Sequence, residues 1–180
     1  MDRRTLLKRL LLAAGALAAG PALAERGADA QAGAAGDAKE FPPVNITREQ
    51  WKEMLPADRF RILFREGTEP AGSSPLNEIY EPGTYICAAC YLPLFASEDK
   101  FDSGTGWPSF TQPIEDRVDT KLDFKLILPR TEYHCIRCGG HQGHVFDDGP
   151  PPTGQRWCNN GLALRFVPEG EELPALRTSA

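Results

Sequence analysis

The chain has 180 residues and a mass of 19.8 kDa, enough for one globular domain with appendages and too little for a barrel enzyme with its loops. Apolar residues make up 41 % and charged residues 25 %, which excludes wholesale disorder and a multi-span membrane protein. The formal charge of -5 and the pI near 5.3 count against nucleic acid as a partner, because phosphate binding draws on surplus Lys and Arg.

Residues 1–24 open on Arg3, Arg4, Lys8 and Arg9, continue as an uncharged Leu- and Ala-rich run, and end in Ala22-Leu23-Ala24. That layout predicts a secretory signal cleaved after Ala24, and the run is short for a bilayer span, so no membrane span is expected after cleavage. Arg3-Arg4 with Thr5-Leu6-Leu7-Lys8 resembles the twin-arginine signal. The expected location is then the periplasm; an ordinary Sec signal or an uncleaved anchor are the other readings. Cleavage would remove four basic residues and one acidic residue and take the net charge from -5 to -8. Residues 25–43, rich in Ala, Gly and Asp and closed by Pro42-Pro43, read as a flexible linker. The folded domain is expected over 44–168, with 169–180 as a frayed C-terminal tail.

Within the domain, Thr47-Arg48-Glu49-Gln50 is a capping box, followed by Trp51, Met54 and Leu55 at helical spacing until Pro56. A second short helix is expected over Asp58–Phe64. From Gly83 onward, runs at Tyr85–Cys87, Lys121–Leu128, Glu132–Cys135 and Leu162–Val167 read as short antiparallel strands between Gly and Pro turns. With Gly 17 and Pro 16, the fold class is mainly β with short N-terminal helices.

The chain has five cysteines. Cys87-Ala88-Ala89-Cys90 and Cys135-Ile136-Arg137-Cys138 each set two thiols on a tight turn, and two such turns make a closed four-thiolate shell for a structural Zn2+. Two disulfides, or one thioredoxin-like redox pair, are the competing readings. Cys158 is left over. Arg156 and Asn160 lie two residues to either side of it, on its side of a strand, and a nearby cation lowers a thiol pKa toward the nucleophilic thiolate. His141 and His144 are candidates for proton transfer, with a metal pair or ordinary polar surface as alternatives.

Residues 101–110 (FDSGTGWPSF), 139–150 (GGHQGHVFDDGP) and 156–160 (RWCNN) are similar to the three signature stretches of the B-type methionine sulfoxide reductases, in that family's order and with its two Cys-x-x-Cys pairs. The resemblance covers about Ile46 to Pro168. It implies two antiparallel sheets stapled by zinc, and reduction of methionine-R-sulfoxide in proteins. It implies Cys158 as nucleophile, with His141, His144 and Asn160 in the active site. Trp107 and Phe146 would wall the methyl subsite, and Arg156 and Asp148 would form a supporting pair. The implied partners are oxidised proteins or peptides and a thioredoxin-like dithiol reductant; a monomer is expected.

Residue chemistry fits that implication. A sulfoxide sulfur becomes electrophilic when its oxygen is protonated, which His144 or His141 would supply, and attack by Cys158 leaves a sulfenic acid. The sulfur and its methyl group favour an aromatic face such as Trp107. Three positions depart from the family pattern. Thr105 stands where many relatives hold a resolving cysteine, so an external dithiol is expected to regenerate Cys158 directly. Glu69-Pro70-Ala71-Gly72-Ser73 lacks the usual aromatic near Thr68-Glu69, and Gln142, at an ordinarily apolar position, is expected at the pocket edge. Two other functions share some of these features: a zinc-stapled binding module, which would not need Cys158, and a Cys-His hydrolase, which would also need an oxyanion hole.

Overall fold

The computed structural model describes residues 41–125 and 128–180. The expected signal, residues 25–40 of the linker, and Leu126 and Ile127 of the long apolar run lie outside the described residues. Among the described residues no helix is long and apolar enough to cross a membrane.

Thr47 begins helix α1 (Arg48–Met54) through the expected reciprocal bonds: its hydroxyl accepts from the Gln50 N–H, and its own N–H donates to the Gln50 side chain. Helix α2 (Ala57–Arg65) follows Pro56 and runs slightly past both ends of the expected segment. The two are locked by Trp51 stacked on Phe64, with ring centroids 5.4 Å apart.

The rest is β. Strands β1 (Gly83–Cys87), β2 (Pro93–Ala96) and β9 (Leu164–Pro168) form a three-stranded antiparallel sheet in the order β2-β1-β9. Strands β3 (Lys100–Phe101), β4 (Ser109–Phe110), β5 (Val118–Asp123), β6 (Arg130–Cys135), β7 (His141–Phe146) and β8 (Arg156–Asn159) form a six-stranded antiparallel sheet in the order β3-β4-β8-β7-β6-β5. An aromatic layer joins the sheets. Phe95 of β2 stacks on Phe110 of β4 at 4.2 Å, and Tyr85 of β1 meets Phe110 edge-on at 5.0 Å. Tyr133 and Trp157 extend the layer along the larger sheet. Each such ring pair adds about 0.5–1.5 kcal/mol beyond its area burial. The opposite face of the six-stranded sheet carries polar side chains, several of them buried, and holds the site.

Three expectations are corrected. The run from Lys121 leaves the sheet at Asp123 rather than continuing to Leu128, because the Asp123 carboxylate accepts the Lys125 N–H at 2.9 Å and turns the chain. Leu122, Phe124 and Leu128 are exposed there. Leu162 and Ala163 form a 3-10 turn (Gly161–Ala163) ahead of β9, not its first residues. Residues 169–180, expected to fray, are held against the domain: the Arg177 N–H donates to the Cys90 carbonyl, the Asn45 N–H donates to that of Thr178, and Leu176 packs on the core.

Candidate active site

Residues paired directly across antiparallel strands present side chains to the same face. The register sets Glu132, His144, Cys158 and Ser109 in one row across β6, β7, β8 and β4. One step along, on the same face, Phe146 pairs with Arg156. Gly143 lets β7 and β8 approach this closely, since a Cβ there would lie 1.9 Å from the Cys158 carbonyl oxygen. The row opens into a cleft of about 110 Å³ lined by Trp107, Arg130, His144, Phe146, Cys158 and Asn160.

Cys158 is partly buried, and burial pushes its thiol up. The Arg156 charge and hydrogen bonding from Thr105 and Arg156 pull the other way without overcoming burial. The cation expected beside the thiol is present, but the thiol is not a standing thiolate. Arg156 is also held by Asp148 in a two-pronged pair, at 2.8 and 2.9 Å, and lies over the Phe146 ring at 4.3 Å. These contacts fix the apolar wall of the cleft.

The two histidines divide. His144 lines the cleft, and its Nε2 lies 2.8 Å from Asp123 Oδ2, so Asp123 engages one ring nitrogen and not Nδ1. Burial lowers its pKa and the Asp123 hydrogen bond raises it, with a net lowering, so the resting imidazole is neutral at pH 7. His141 is only 2 % exposed and is absent from the cleft lining. It sits behind His144, the rings edge-on at 5.5 Å, with Nδ1 3.0 Å from Glu132 Oε1.

Asn160 lines the cleft with its amide already engaged: Nδ2 donates to the Gln142 carbonyl at 2.9 Å, and Oδ1 accepts the Glu69 N–H at 3.0 Å. Trp107 Nε1 donates to the Glu69 carbonyl at 3.1 Å. Gln142 is not at the pocket edge. It is fully buried, and its amide donates to Cys87 Sγ at 3.6 Å and to the Gly140 carbonyl. It thereby connects Asn160 to the cysteine cluster.

In that cluster, Cys87, Cys90, Cys135 and Cys138 bring four Sγ atoms within 4.8 Å of one another. The closest pairs, Cys90–Cys135 and Cys87–Cys138, are at 3.5 and 3.7 Å, far beyond a disulfide bond and close to the edge of about 3.8 Å that four sulfurs 2.3 Å from one tetrahedral ion would have. All five cysteines are free thiols in this geometry. Burial pushes Cys87 up, and four thiols packed this closely suit a cation that would hold them as thiolates. The four can chelate one metal ion.

Four further residues belong to the site. Asp123 orients His144 and is itself held by Arg130 at 2.7 Å. Glu132, 2 % exposed, backs His141. Glu69, also 2 % exposed, accepts the Gly161 and Leu162 N–H groups at 2.6 and 2.9 Å. The sequence carried a faint signal for Asp123 and Glu132, charged residues within strand runs, which are costly to bury unless paired, and none for Glu69, which lies in a loop. Thr105, where a second thiol was expected in relatives, heads a chain of hydroxyls through Ser103 to Ser109, each link 2.8 Å.

Fold and site together define a cysteine-dependent enzyme domain with a separate metal-chelating staple. The SelR domain matches residues 55–168. The chain is 49 % identical over 127 residues to the peptide methionine sulfoxide reductase MsrB of Leptospira interrogans serogroup Icterohaemorrhagiae serovar Lai, covering 70 % of this chain and 97 % of the relative. It is 47 % identical over 129 residues to the MsrB of Methanosarcina barkeri, covering 71 % and 91 %, and 46 % identical over 128 residues to that of Agrobacterium fabrum, covering 71 % and 95 %. The chain belongs to the SelR-domain family of peptide methionine sulfoxide reductases.

Proposed function

We propose that the domain reduces methionine-R-sulfoxide in proteins to methionine. The observation that carries this reading is the placement of Cys158, the one thiol outside the cluster, directly opposite His144 and within a cleft walled by Trp107 and Phe146. The paired thiol and imidazole are both neutral at rest. As sulfur attacks sulfur, the thiol proton passes to His144 and on to the sulfoxide oxygen. The S–S bond so formed breaks as the protonated oxygen passes from the methionine sulfur to that of Cys158; the sulfoxide is reduced by two electrons to methionine, and Cys158 is oxidised by two to a sulfenic acid. Asp123 stabilises the transient imidazolium. Trp107 and Phe146 receive the methyl group, which fixes methyl and oxygen in different subsites and selects one epimer. A Cys-His hydrolase would share the thiol and imidazole, but membership of a sulfoxide reductase family favours the redox step.

Thr105 offers no thiol to the sulfenic acid, and the other four cysteines are engaged in the cluster. A thioredoxin-like external dithiol therefore reduces Cys158 directly, releasing water and its own disulfide. Zinc is the metal assigned to Cys87, Cys90, Cys135 and Cys138, on the preference of Zn2+ for four thiolates in a tetrahedron; when bound it would offset half of their charge and tie the two sheets. The enzyme acts as an exported, periplasmic protein, a reading supported by the twin-arginine-type layout of residues 1–24.

The test uses protein recovered from the extracytoplasmic fraction, whose first residue should be Glu25. Wild-type protein with dithiothreitol should reduce a methionine-R-sulfoxide peptide and leave the S epimer, while Cys158→Ser should lose all turnover and keep its metal. Mass spectrometry after one turnover without reductant should find a sulfenic acid on Cys158. An intramolecular disulfide there would refute direct regeneration, and turnover by Cys158→Ser would refute the mechanism.

A further inference from the structure

The cleft at Cys158, about 110 Å³, has room for little more than one methionine sulfoxide side chain. In a protein substrate, the residues beside the oxidised methionine must therefore lie beyond its rim. Trp107 forms that rim, and its other side lines a second and larger cavity of about 550 Å³. Tyr80, Glu78, Lys100, Phe101 and Asp102 also line this cavity. Gly104, on the lining of the larger cavity, has nothing within 4 Å of where a Cβ would stand, so the cavity is open on that side.

The cavity has a definite chemical character. Tyr80 is 52 % exposed, with the Lys100 ammonium over one face of its ring and the rest open to solvent. Lys100 is already committed, since its Nζ donates to the Asn77 carbonyl at 2.9 Å and lies 3.6 Å from the Tyr80 ring centroid. Glu78 and Asp102 act on both the Tyr80 phenol and the Lys100 ammonium, so the charged groups are clustered. Two carboxylates stand against one ammonium.

We infer that this cavity is a second substrate subsite, which takes a basic side chain close in sequence to the oxidised methionine of an extended polypeptide. The inference rests on the reductase reading. An extended chain advances about 3.3 Å per residue, so crossing one indole requires about two or three residues. At that offset a Lys or Arg can lie on the exposed Tyr80 ring with its charge toward Glu78 and Asp102. An acidic side chain there would meet the same two carboxylates and be repelled.

The experiment compares kcat/KM, with dithiothreitol as reductant, on three substrates: N-acetylmethionine-R-sulfoxide amide, and two capped peptides carrying Lys or Glu two and three residues from the methionine-R-sulfoxide on either side. Wild-type protein should favour the Lys peptide over the Glu peptide by about fivefold, the combined effect of one exposed cation–π contact and one exposed ion pair. Tyr80→Ala should cut that preference to within about twofold, and Glu78→Lys should invert it. Neither change should move the rate on the single amino acid derivative, which does not reach the cavity and so reports whether each variant is folded. Equal rates on the two peptides, or losses shared by all three substrates, would overturn the subsite while leaving the reductase reading standing. Wild-type protein inert on every substrate would overturn both.

Discussion

Asp123 governs what His144 can do. It accepts from the Lys125 N–H, lies 2.8 Å from His144 Nε2 and takes an Arg130 N–H, and these bonds hold its carboxyl well below the usual carboxylate range despite burial. It is therefore ionised wherever the enzyme works, and its charge raises the His144 pKa against the lowering by burial. Replacing the charge in Asp123→Asn removes the raising influence, so the His144 pKa falls further. In the proposed mechanism the neutral imidazole accepts the Cys158 proton, so activity should be lost as pH falls through that pKa. The acid limb of kcat/KM should move to lower pH in the variant, and kcat should drop about a hundredfold as the imidazolium loses its partner. A merely structural role for Asp123 would lower the rate without moving the limb. The same pairing carries a stability term. With its folded pKa depressed, Asp123 contributes stability that is complete above its unfolded value near 4 and is lost as pH falls through the folded one.

At the scale of elements, the short turn Gly161–Ala163 positions the end of β8 against the rest of the site, and Glu69 holds that turn. The Glu69 carboxylate accepts two backbone N–H groups, its own N–H meets Asn160, and its carbonyl accepts from Trp107. Glu69→Ala leaves two N–H groups without their acceptor and should cost about 1–3 kcal/mol in urea unfolding. Because Trp107 and Asn160 hang from the same residue, KM for a sulfoxide peptide should rise more than kcat falls. Glu69→Gln keeps one acceptor oxygen but sets its NH2 against the second N–H, so it should recover only part of the loss, and a Gln variant equal to wild type would show that the two-oxygen bridge is not what matters. This element was hard to read in the sequence: Leu162-Ala163-Leu164 has the look of a strand start, and the acceptor that turns it into a 3-10 turn lies more than 90 positions away. Legible elements were those whose cause is local. Thr47 and Gln50 cap α1 within four residues, and the two Cys-x-x-Cys turns are set by their own spacing. Long-range pairing decided the others, so Asp123 and Glu132 became site residues only when β5, β6 and β7 aligned, and His141 moved behind His144 through the register shift near Tyr133.

For the whole molecule, the cysteine cluster is the joint between the sheets. Cys87 and Cys90 lie at and just beyond the end of β1 in the smaller sheet, and Cys135 and Cys138 on the turn between β6 and β7 in the larger. A bound ion thus closes a loop of nearly fifty residues and restricts the unfolded chain accordingly. Gln142 passes the constraint to the active site, since its side chain touches Cys87 and its carbonyl takes both the backbone and side-chain N–H groups of Asn160. Structural zinc in four-ligand sites binds with about 10–16 kcal/mol at pH 7, comparable to the whole stability of about 5–15 kcal/mol for a domain of this size. Loss of the ion should therefore act on folding first and on chemistry second. Purified protein should carry one equivalent of zinc by elemental analysis, and Cys138→Ala should lose it and melt more than about 10 °C lower. The order of events separates this role from a catalytic one. On titration with a strong chelator, the circular dichroism signal and turnover should fall together, and Cys158 in the still-folded fraction should keep its reactivity toward iodoacetamide. Turnover that disappears while the fold and the melting temperature stay intact would place the metal in the reaction rather than in the joint.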